Sequence, residues 1–270
     1  MLFRFGFLLL AVMSSRIQAA EPSYEAYAVR YATLMYYPVA ALVQGADQDR
    51  KLDIAMTVWV LKGDGRVVLV DSGFYRQKYL DQWKAITNYT RPDSAVARLG
   101  IKPGDVTDVI ITHTHWDHAD GADLFPRATV WIQKAEYEHY TTGIKPSPDD
   151  HLAALVKLNE DGRVRLVDGD AKEILPGITV YTGGKHTFES QYVGVKTKAG
   201  TMVIASDNVY LYENLDKHVP IAATLDAKSN LSAQDRMKTI ASNPKLIIPG
   251  HDPDVFVRFP KAGEGVARLD

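Results

Sequence analysis

Four potential metal ligands lie within six residues of one another near the middle of the chain. The segment His113-Thr114-His115-Trp116-Asp117-His118 directly follows an apolar, β-branched run at 109–112, which is typical of a buried strand. Neutral imidazole and carboxylate are the ligands that borderline ions such as Zn²⁺ accept. A histidine-rich surface turn would explain any one of these histidines, but the cluster favours a metal site.

Three later residues supply the same kinds of side chain where other predicted strands end. His186 follows a turn of two glycines, Asp207 follows an apolar run, and His251 lies near the end of the chain. Loops at the ends of strands are where layered folds gather functional residues. Five of the eight histidines thus belong to one predicted site. The other three have no paired ligand and are predicted to be surface or packing residues: His139, His151 and His218.

Short β-rich segments alternate with polar or helical stretches, which indicates a mixed α/β domain. The predicted strands cover 24–31, 55–61, 66–70, 108–112, 129–132, 163–167, 178–182, 192–197, 201–205 and 246–248. Lys62-Gly63-Asp64-Gly65 joins the second strand to the third and predicts a tight antiparallel hairpin. The predicted helices cover 92–99, 134–140, 151–158 and 232–242. No linker or repeat divides 21–270, so one domain of two packed sheets with outer helices is expected.

The composition favours a small-molecule substrate. A formal net charge of -2 and a pI near 6.4 leave no basic excess to bind phosphates, so no nucleic-acid partner is expected. The chain has no cysteine, so a site for a soft metal must use histidine and carboxylate. The sequence does not indicate an oligomeric state.

The first twenty residues are typical of a signal peptide. Arg4 is followed by an apolar run at 5–13 and by the small residues Ala19-Ala20. A membrane anchor is the alternative, but the run is shorter than the roughly 20 residues that a spanning helix needs. Residues 1–20 are therefore expected to be removed, leaving a periplasmic or secreted protein, 21–270, without a membrane attachment.

The ordered set His-x-His-x-Asp-His, a later His, a later Asp and a final Gly-His resembles the metallo-β-lactamase superfamily over most of the mature chain. The resemblance implies an α+β fold, the αβ/βα four-layer sandwich, with the site at the edge between two sheets. It also implies two Zn²⁺ per chain, or other divalent ions in their place. The first ion would be held by His113, His115 and His186, the second by Asp117, His118 and His251, with Asp207 bridging them.

Within the superfamily, the sequence is similar to the N-acyl homoserine lactonases. The similarity rests on Val70-Asp71-Ser72-Gly73, His118-Ala119-Asp120-Gly121, Ala205-Ser206-Asp207-Asn208-Val209-Tyr210 and Gly250-His251-Asp252. Tyr210 matches the tyrosine whose hydroxyl points at the substrate in those enzymes, with ordinary packing as the alternative. For Asp71, a hydrogen bond to a ligating histidine and a plain turn cap are both open.

One departure from the superfamily surrounds the third histidine. Gly184-Lys185-His186-Thr187-Phe188-Glu189-Ser190 stands where the usual pattern is Gly-His-Ser/Thr-Pro-Gly. His186 remains a predicted ligand, but the loop around it is expected to differ.

The chemistry that the resemblance implies is hydrolysis of a lactone or ester by a hydroxide shared between two metal ions. Tyr210 and one metal would stabilise the oxyanion, and Asp117 would pass a proton to the leaving alkoxide. Three apolar residues are candidates for an acyl pocket: Trp116, Phe188 and Tyr212. The leading interpretation is an N-acyl homoserine lactonase, which would quench quorum sensing.

Other hydrolases of the same fold are the alternatives. The absence of cysteine excludes the β-lactamases with a cysteine ligand, and no basic cluster supports a phosphodiesterase. The short segment after His251 disfavours a thioesterase of the glyoxalase II kind, for which a helical domain is expected there. A non-catalytic periplasmic zinc-binding protein is an alternative of another class, against which the complete ligand set argues.

Overall fold

A computed structural model of the chain describes residues 23–145 and 150–270. The predicted signal peptide, 1–20, lies outside these residues. Within the described ranges, no helix is long and apolar enough to cross a membrane. Two β-sheets pack face to face, and helices cover the outer face of each.

The larger sheet is formed mainly by the first half of the chain. Its strands are β1 (Glu25–Pro38), β2 (Lys51–Gly63), β3 (Arg66–Val70), β4 (Ile86–Thr87), β5 (Asp108–Ile110), β6 (Thr129–Gln133), β7 (Val164–Val167), β13 (Lys261–Gly263) and β14 (Val266–Arg268). They lie in the order β13-β14-β1-β2-β3-β5-β6-β7, with β4 beside β1. β2 and β3 form the predicted antiparallel hairpin, whereas β3, β5, β6 and β7 run parallel. The segment after β5 therefore emerges at the carboxyl edge of the parallel strands.

The smaller sheet brings three chain segments to one edge. Its strands are β8 (Lys172–Leu175), β9 (Ile178–Thr182), β10 (Gln191–Thr197), β11 (Gly200–Ser206) and β12 (Ile247–Pro249), in the order β12-β11-β10-β9-β8. β10 is antiparallel to β9 and to β11, while β11 and β12 are parallel. The loop after β9 and the ends of β11 and β12 consequently share an edge, and these segments carry His186, Asp207 and His251.

Alternating side chains along the strands divide the core into layers. Between the sheets, Trp59 of β2 packs in one cluster with Val193 and Ile204 of the smaller sheet. On the outer face of the larger sheet, Val58 and Val60 of β2 pack in a second cluster that includes Leu155 and Leu158. Val203 of β11 faces a third cluster with Ala233 and Met237. The layers therefore follow the order helix, sheet, sheet, helix, which confirms the predicted four-layer sandwich.

The helices are α1 (Gln77–Gln82), α2 (Pro92–Val96), α3 (Trp116–Ala119), α4 (Lys134–Thr141), α5 (His151–Glu160), α6 (Tyr212–Lys217), α7 (Ala227–Ile240) and α8 (Val255–Arg258). α4 and α5 begin where the sequence predicts. α2 continues as a 3-10 turn to Leu99 and stops at Gly100, whose φ of 73° is left-handed. α7 begins before the predicted 232, because the Asp226 side chain accepts a hydrogen bond from the Ser229 backbone N–H and caps the helix there.

Several elements differ from the prediction. β1 extends beyond residue 31 to Pro38 through two irregularities in its pairing with β2. Four short strands, β4, β8, β13 and β14, and the short helices α1, α3, α6 and α8 have no counterpart among the predicted elements. Elements of two to six residues carry too few periods of hydrophobic pattern to be recognised from sequence.

Candidate metal centre and substrate cleft

Seven side chains named by the sequence lie together at the shared edge of the two sheets. They form two groups, in each of which the potential ligand atoms lie within 4.8 Å of one another. The first group contains His113, His115, His186 and Asp207, and the second contains Asp117, His118 and His251. The structure thus brings together every residue of the predicted site, and their roles as ligands stay a prediction.

Asp207 faces both groups, one carboxylate oxygen to each. Its Oδ2 lies 3.3 Å from His186 Nε2 and 3.7 Å from His113 Nε2. Its Oδ1 lies 3.2 Å from His118 Nε2 and 3.1 Å from His251 Nε2. This is the placement that a carboxylate bridging two ions requires.

Two buried atoms at the centre of this cluster have no hydrogen-bond partner among the described residues: His118 Nε2 and Asp207 Oδ1. Buried polar atoms are nearly always paired, so an orphaned imidazole nitrogen facing an orphaned carboxylate oxygen calls for a shared partner. A cation between them satisfies both, and the donor set of histidine and carboxylate suits a borderline divalent metal. The residues therefore fit a metal centre.

The outward nitrogens of the histidines are held by the protein, which fixes the ring orientation. His118 Nδ1 lies 2.8 Å from Asp71 Oδ2. The Nδ1 atoms of His186 and His251 each lie 2.9 Å from a backbone carbonyl oxygen, of Ala223 and Ala55 respectively. Each of these nitrogens donates its proton outward, so in the neutral ring the Nε2 lone pair faces the centre. Of the two alternatives for Asp71, the structure thus supports the hydrogen bond to a candidate ligand.

The electrostatic surroundings differ between the two groups. Burial, reinforced by neighbouring histidines, lowers the pKa of His113 well below its usual range. Burial also lowers the pKa of His186 to about 4, although Asp207 opposes the shift. At His118 burial acts in the same direction, but the charges of Asp207 and the nearby carboxylates outweigh it and raise the pKa well above the ordinary value. In the first group His113 and His186 therefore offer neutral imidazoles, whereas carboxylates concentrate negative charge around His118, which a cation would balance.

Left-handed backbone conformations orient two of the predicted ligands. Lys185 and Ser206, directly before His186 and Asp207, have left-handed φ angles of 48° and 47°. Such angles cost a non-glycine residue of order 1–3 kcal/mol and cluster at functional sites. Gly250, directly before His251, is required for space: a Cβ there would lie 2.8 Å from Asp207 Oδ1.

Tyr210 lies beside the first group. Its hydroxyl is 3.3 Å from His186 Nδ1, and the ring lines the same cleft as His186 and Asp207. Burial and the charge of Asp207 raise the pKa of Tyr210 well above its usual value, so the hydroxyl keeps its proton. The hydroxyl can therefore donate a hydrogen bond, and its role toward a substrate stays a prediction.

A cleft of about 380 Å³ opens onto both groups. Its floor is polar and its walls are apolar; the wall residues are Leu34, Tyr37, Leu42, Ile54, Met56, Trp83, Trp116 and Ala223. Such a combination suits a ligand with one polar reactive end and an apolar remainder.

Of the three residues predicted to line an acyl pocket, one lies in the cleft. Trp116 lines the cleft, stacked between Tyr79 and Trp83. Phe188 instead lies outside the cleft lining and stacks on His139 at 4.1 Å. Tyr212 is buried between the sheets, with the Arg258 guanidinium 3.7 Å above its ring. Both follow a ligand closely in sequence, but the chain turns their side chains away from the cleft.

The three histidines left out of the predicted site do lie outside the two ligand groups. His139 stacks on Phe188, and His218 forms a surface ion pair with Asp235. His151 has a closer connection, because its Nε2 lies 2.8 Å from the carbonyl oxygen of Thr114, between two predicted ligands.

Sequence reasoning missed Glu136. It is fully buried on α4 and accepts hydrogen bonds from Thr114 and from the backbone of Glu189. In the sequence, Glu136 is a charged residue in the first turn of a predicted helix. Such a position is ordinarily exposed to solvent, so the sequence does not indicate its burial.

Comparison with known proteins agrees with the geometry. Residues 55–251 match the Metallo-beta-lactamase superfamily. The chain is 27% identical over 216 residues to an N-acyl homoserine lactonase of Bacillus cereus, covering 74% of this chain and 82% of that protein.

Solved structures share the fold. A variant of AiiA from B. thuringiensis with N-decanoyl-L-homoserine bound at the active site matches with a TM-score of 0.72 and 22% identity, over 90% of this chain and 98% of that one. AidC, a dizinc quorum-quenching lactonase in complex with a product, matches with a TM-score of 0.62 and 13% identity, over 86% and 91% of the two chains. With the sequence match covering most of the chain and the ligand groups in place, this protein belongs to the metallo-β-lactamase superfamily and is homologous to its N-acyl homoserine lactonases.

Proposed function

We propose that this protein is a dinuclear zinc hydrolase that opens lactone rings, with N-acyl homoserine lactones as its substrate class. The observation that carries the proposal is Asp207, which offers one oxygen to each of two complete ligand groups. A mononuclear site would need only about four ligands, whereas seven converge here. The similarity to N-acyl homoserine lactonases supports the choice of lactones.

The ligand set indicates which residues would hold each ion. His113, His115 and His186 would hold the first and Asp117, His118 and His251 the second, with Asp207 between them. When bound, zinc supplies an acidified water as nucleophile and polarises the substrate carbonyl.

Tyr210 and Asp117 then have separate tasks. The Tyr210 hydroxyl, protonated and beside the first group, donates a hydrogen bond to the carbonyl oxygen as negative charge develops there. Asp117 lines the opposite part of the cleft floor, with Oδ2 3.5 Å from His118 Nε2. From there it is placed to accept the proton that the attacking water loses and to pass it to the leaving oxygen of the ring ester.

The cleft walls support an acylated substrate. A homoserine lactone presents its ester at the polar floor, and the acyl chain lies against apolar residues such as Met56 and Trp83. Burial of that chain contributes about 0.8 kcal/mol per methylene group at most. The walls also keep bulk water away from the reacting ester.

The test joins metal analysis to a substrate screen. Purified protein should contain close to two zinc ions per chain and should hydrolyse N-acyl homoserine lactones in preference to thioesters, β-lactams and phosphodiesters. Two ions with another preferred substrate would replace the substrate class. A stoichiometry of one or none after loading with excess zinc would refute the dinuclear proposal.

We also propose that the protein is exported, on the basis of the signal-like residues 1–20. Fractionation of expressing cells, with N-terminal sequencing of the mature protein, tests this separately. Uncleaved protein confined to the cytoplasm would contradict it.

A further inference from the structure

Glu136 joins two of the loops that carry the first ligand group. Its Oε1 accepts hydrogen bonds from the backbone nitrogen and the hydroxyl of Thr114, at 3.0 and 2.9 Å. Its Oε2 accepts one from the backbone nitrogen of Glu189, at 2.7 Å. The side chain is fully buried. One carboxylate therefore connects two segments far apart in sequence.

Both connected segments present candidate ligands. Thr114 stands between His113 and His115, and Glu189 belongs to the loop at 183–190 that presents His186. The inward nitrogens of the three histidines converge: His115 Nδ1 lies 3.1 Å from His113 Nε2 and 3.0 Å from His186 Nε2. The spacing among these atoms depends on how the two loops are held relative to each other, and Glu136 holds both.

The loop at 183–190 uses α4 as its support in further contacts. Phe188 stacks on His139 with an interplanar angle of 2°, and its backbone nitrogen donates to the Tyr140 hydroxyl at 3.4 Å. The Lys185 ammonium closes the loop on the Glu189 carboxylate at 2.6 Å. This is the loop whose sequence departs from the superfamily pattern, and its contacts with α4 explain how it keeps a defined shape.

Only a carboxylate satisfies the three donors. Each oxygen of Glu136 accepts, one from Thr114 and the other from Glu189. A glutamine amide offers one accepting oxygen and one donating NH₂ group, so either orientation turns the NH₂ group against a backbone N–H. A buried, unpaired donor costs about 1–3 kcal/mol, and the loops can relieve that cost by moving apart.

We propose that Glu136 is a positioning residue for the first ligand group. It keeps His113, His115 and His186 at metal-binding spacing and thereby sets the affinity of that group for its ion, without contacting metal or substrate. The inference rests on the proposed function only in assuming that both groups bind zinc.

The experiment measures zinc release from the loaded full-length mature protein under a graded chelator. In Glu136→Gln, one of the two ions should leave at a free-zinc concentration about 10–100-fold higher than in the wild type, the range known for outer contacts of metal ligands. The other ion should be released as in the wild type.

Asp108→Asn is the matched control. Asp108 is also buried and accepts from three donors through both oxygens, Arg66, Thr107 and Trp131, none of which belongs to the ligand groups. This variant should lose a similar amount of thermal stability and keep the wild-type release of both ions.

Thr114→Val provides a milder variant that removes only the hydroxyl donor, and it decides the matter if Glu136→Gln does not fold. It should weaken the same ion by a smaller factor. A wild-type release profile in Glu136→Gln, or in Thr114→Val when only that variant folds, would overturn the positioning role. Equal weakening of both ions would overturn it too. If either of these results is obtained while the wild type binds two zinc ions and opens lactones, the proposed function stands and only the positioning role fails. If the wild type binds no zinc, both fail.

Discussion

The two ligand groups occupy one cleft but are supported by different parts of the fold. In the second group, the sheet itself holds each imidazole: His118 contacts Asp71 at the end of β3, and His251 contacts the carbonyl of Ala55 in β2. In the first group, His113 and His115 precede α3, and His186 lies in a loop that packs on α4 through Glu136. One half of the centre is therefore built on strands, and the other on loops that a buried carboxylate joins.

The two groups also differ in charge. Around His118, the carboxylates of Asp71, Asp117 and Asp207 raise the imidazole pKa, whereas burial lowers the pKa of His113 and His186. Strand support and concentrated negative charge both favour tight cation binding. We therefore expect the second group to retain its ion at lower free zinc than the first, and the following variants test that contrast.

The largest effect is expected at Asp207, whose carboxylate faces both groups. Asp207→Ala removes an oxygen from each and leaves the Nε2 atoms of His118 and His251 without their nearest carboxylate oxygen. The variant should lose at least one ion, and its kcat/KM should fall by more than the roughly 10–100-fold typical of an outer contact. Elemental analysis and lactone kinetics measure both.

His218→Ala is the control for Asp207→Ala, because His218 pairs with Asp235 on the surface. It should keep both ions and full activity. Equal behaviour of the two variants would contradict the bridging role and remove the link between the groups.

A large effect without metal loss is expected at Tyr210. Tyr210→Phe removes the hydroxyl beside the first group and leaves the outward bond of His186 to Ala223 intact. If the hydroxyl donates mainly to the charged transition state, kcat and kcat/KM should fall together by roughly ten- to a thousandfold. Wild-type kinetics in a fully loaded Phe variant would exclude Tyr210 from the reaction.

The sequence predicts the strand-supported parts of the centre better than the loop-supported parts. His251 follows the predicted strand that becomes β12, and Asp71, which holds His118, follows the predicted strand β3. Asp207 is predicted in the same way, because β11 carries an uninterrupted apolar pattern. Long periodic strands carry enough residues to show which face is buried.

The features of the centre that the sequence does not predict depend on tertiary contacts. Nothing local distinguishes Glu136 from an exposed glutamate of a first helical turn, since its burial results from the approach of the loop at 183–190. The left-handed φ angles of Lys185 and Ser206 are equally unexpected, because neither residue is a glycine. Phe188 and Tyr212 are apolar candidates for the pocket by residue type, but the chain directs their side chains elsewhere.

A moderate effect, largest on the second group, is expected at Asp71. Its carboxylate accepts from His118 Nδ1, from the Thr112 backbone and hydroxyl, and from Ser206 Oγ. Asp71→Asn replaces one accepting oxygen by an NH₂ group, which opposes the Thr112 backbone N–H if it stands at Oδ1 and the His118 Nδ1–H if it stands at Oδ2. Either orientation loosens the support of His118. We expect about 10–100-fold weaker binding of one ion.

Chelator titration of Asp71→Asn combined with Glu136→Gln sharpens the contrast between the groups. Asp71→Asn should weaken one ion, Glu136→Gln the other, and the double variant both. If both single variants weakened the same ion, the division of the centre into a strand-supported and a loop-supported half would be wrong.

The smallest effect is expected in the wall that the two groups share. Trp83 stacks on Trp116 at 5.9 Å and lines the cleft, at a distance in sequence from every ligand. Trp83→Ala removes apolar surface that an acyl chain would contact, at a cost of about 1 kcal/mol for a partly exposed contact. For long-chain N-acyl homoserine lactones, KM should rise about fivefold while kcat and metal content stay unchanged, since the contact is the same in the ground and transition states.

Two controls accompany this variant. Short-chain lactones should be nearly unaffected by Trp83→Ala. All substrates should be unaffected by Leu166→Ala, which removes an exposed apolar side chain from β7 outside the cleft lining. A change in kcat or in zinc content in Trp83→Ala would show that this wall positions Trp116 and the ligands on either side of it, and that the acyl chain is bound elsewhere.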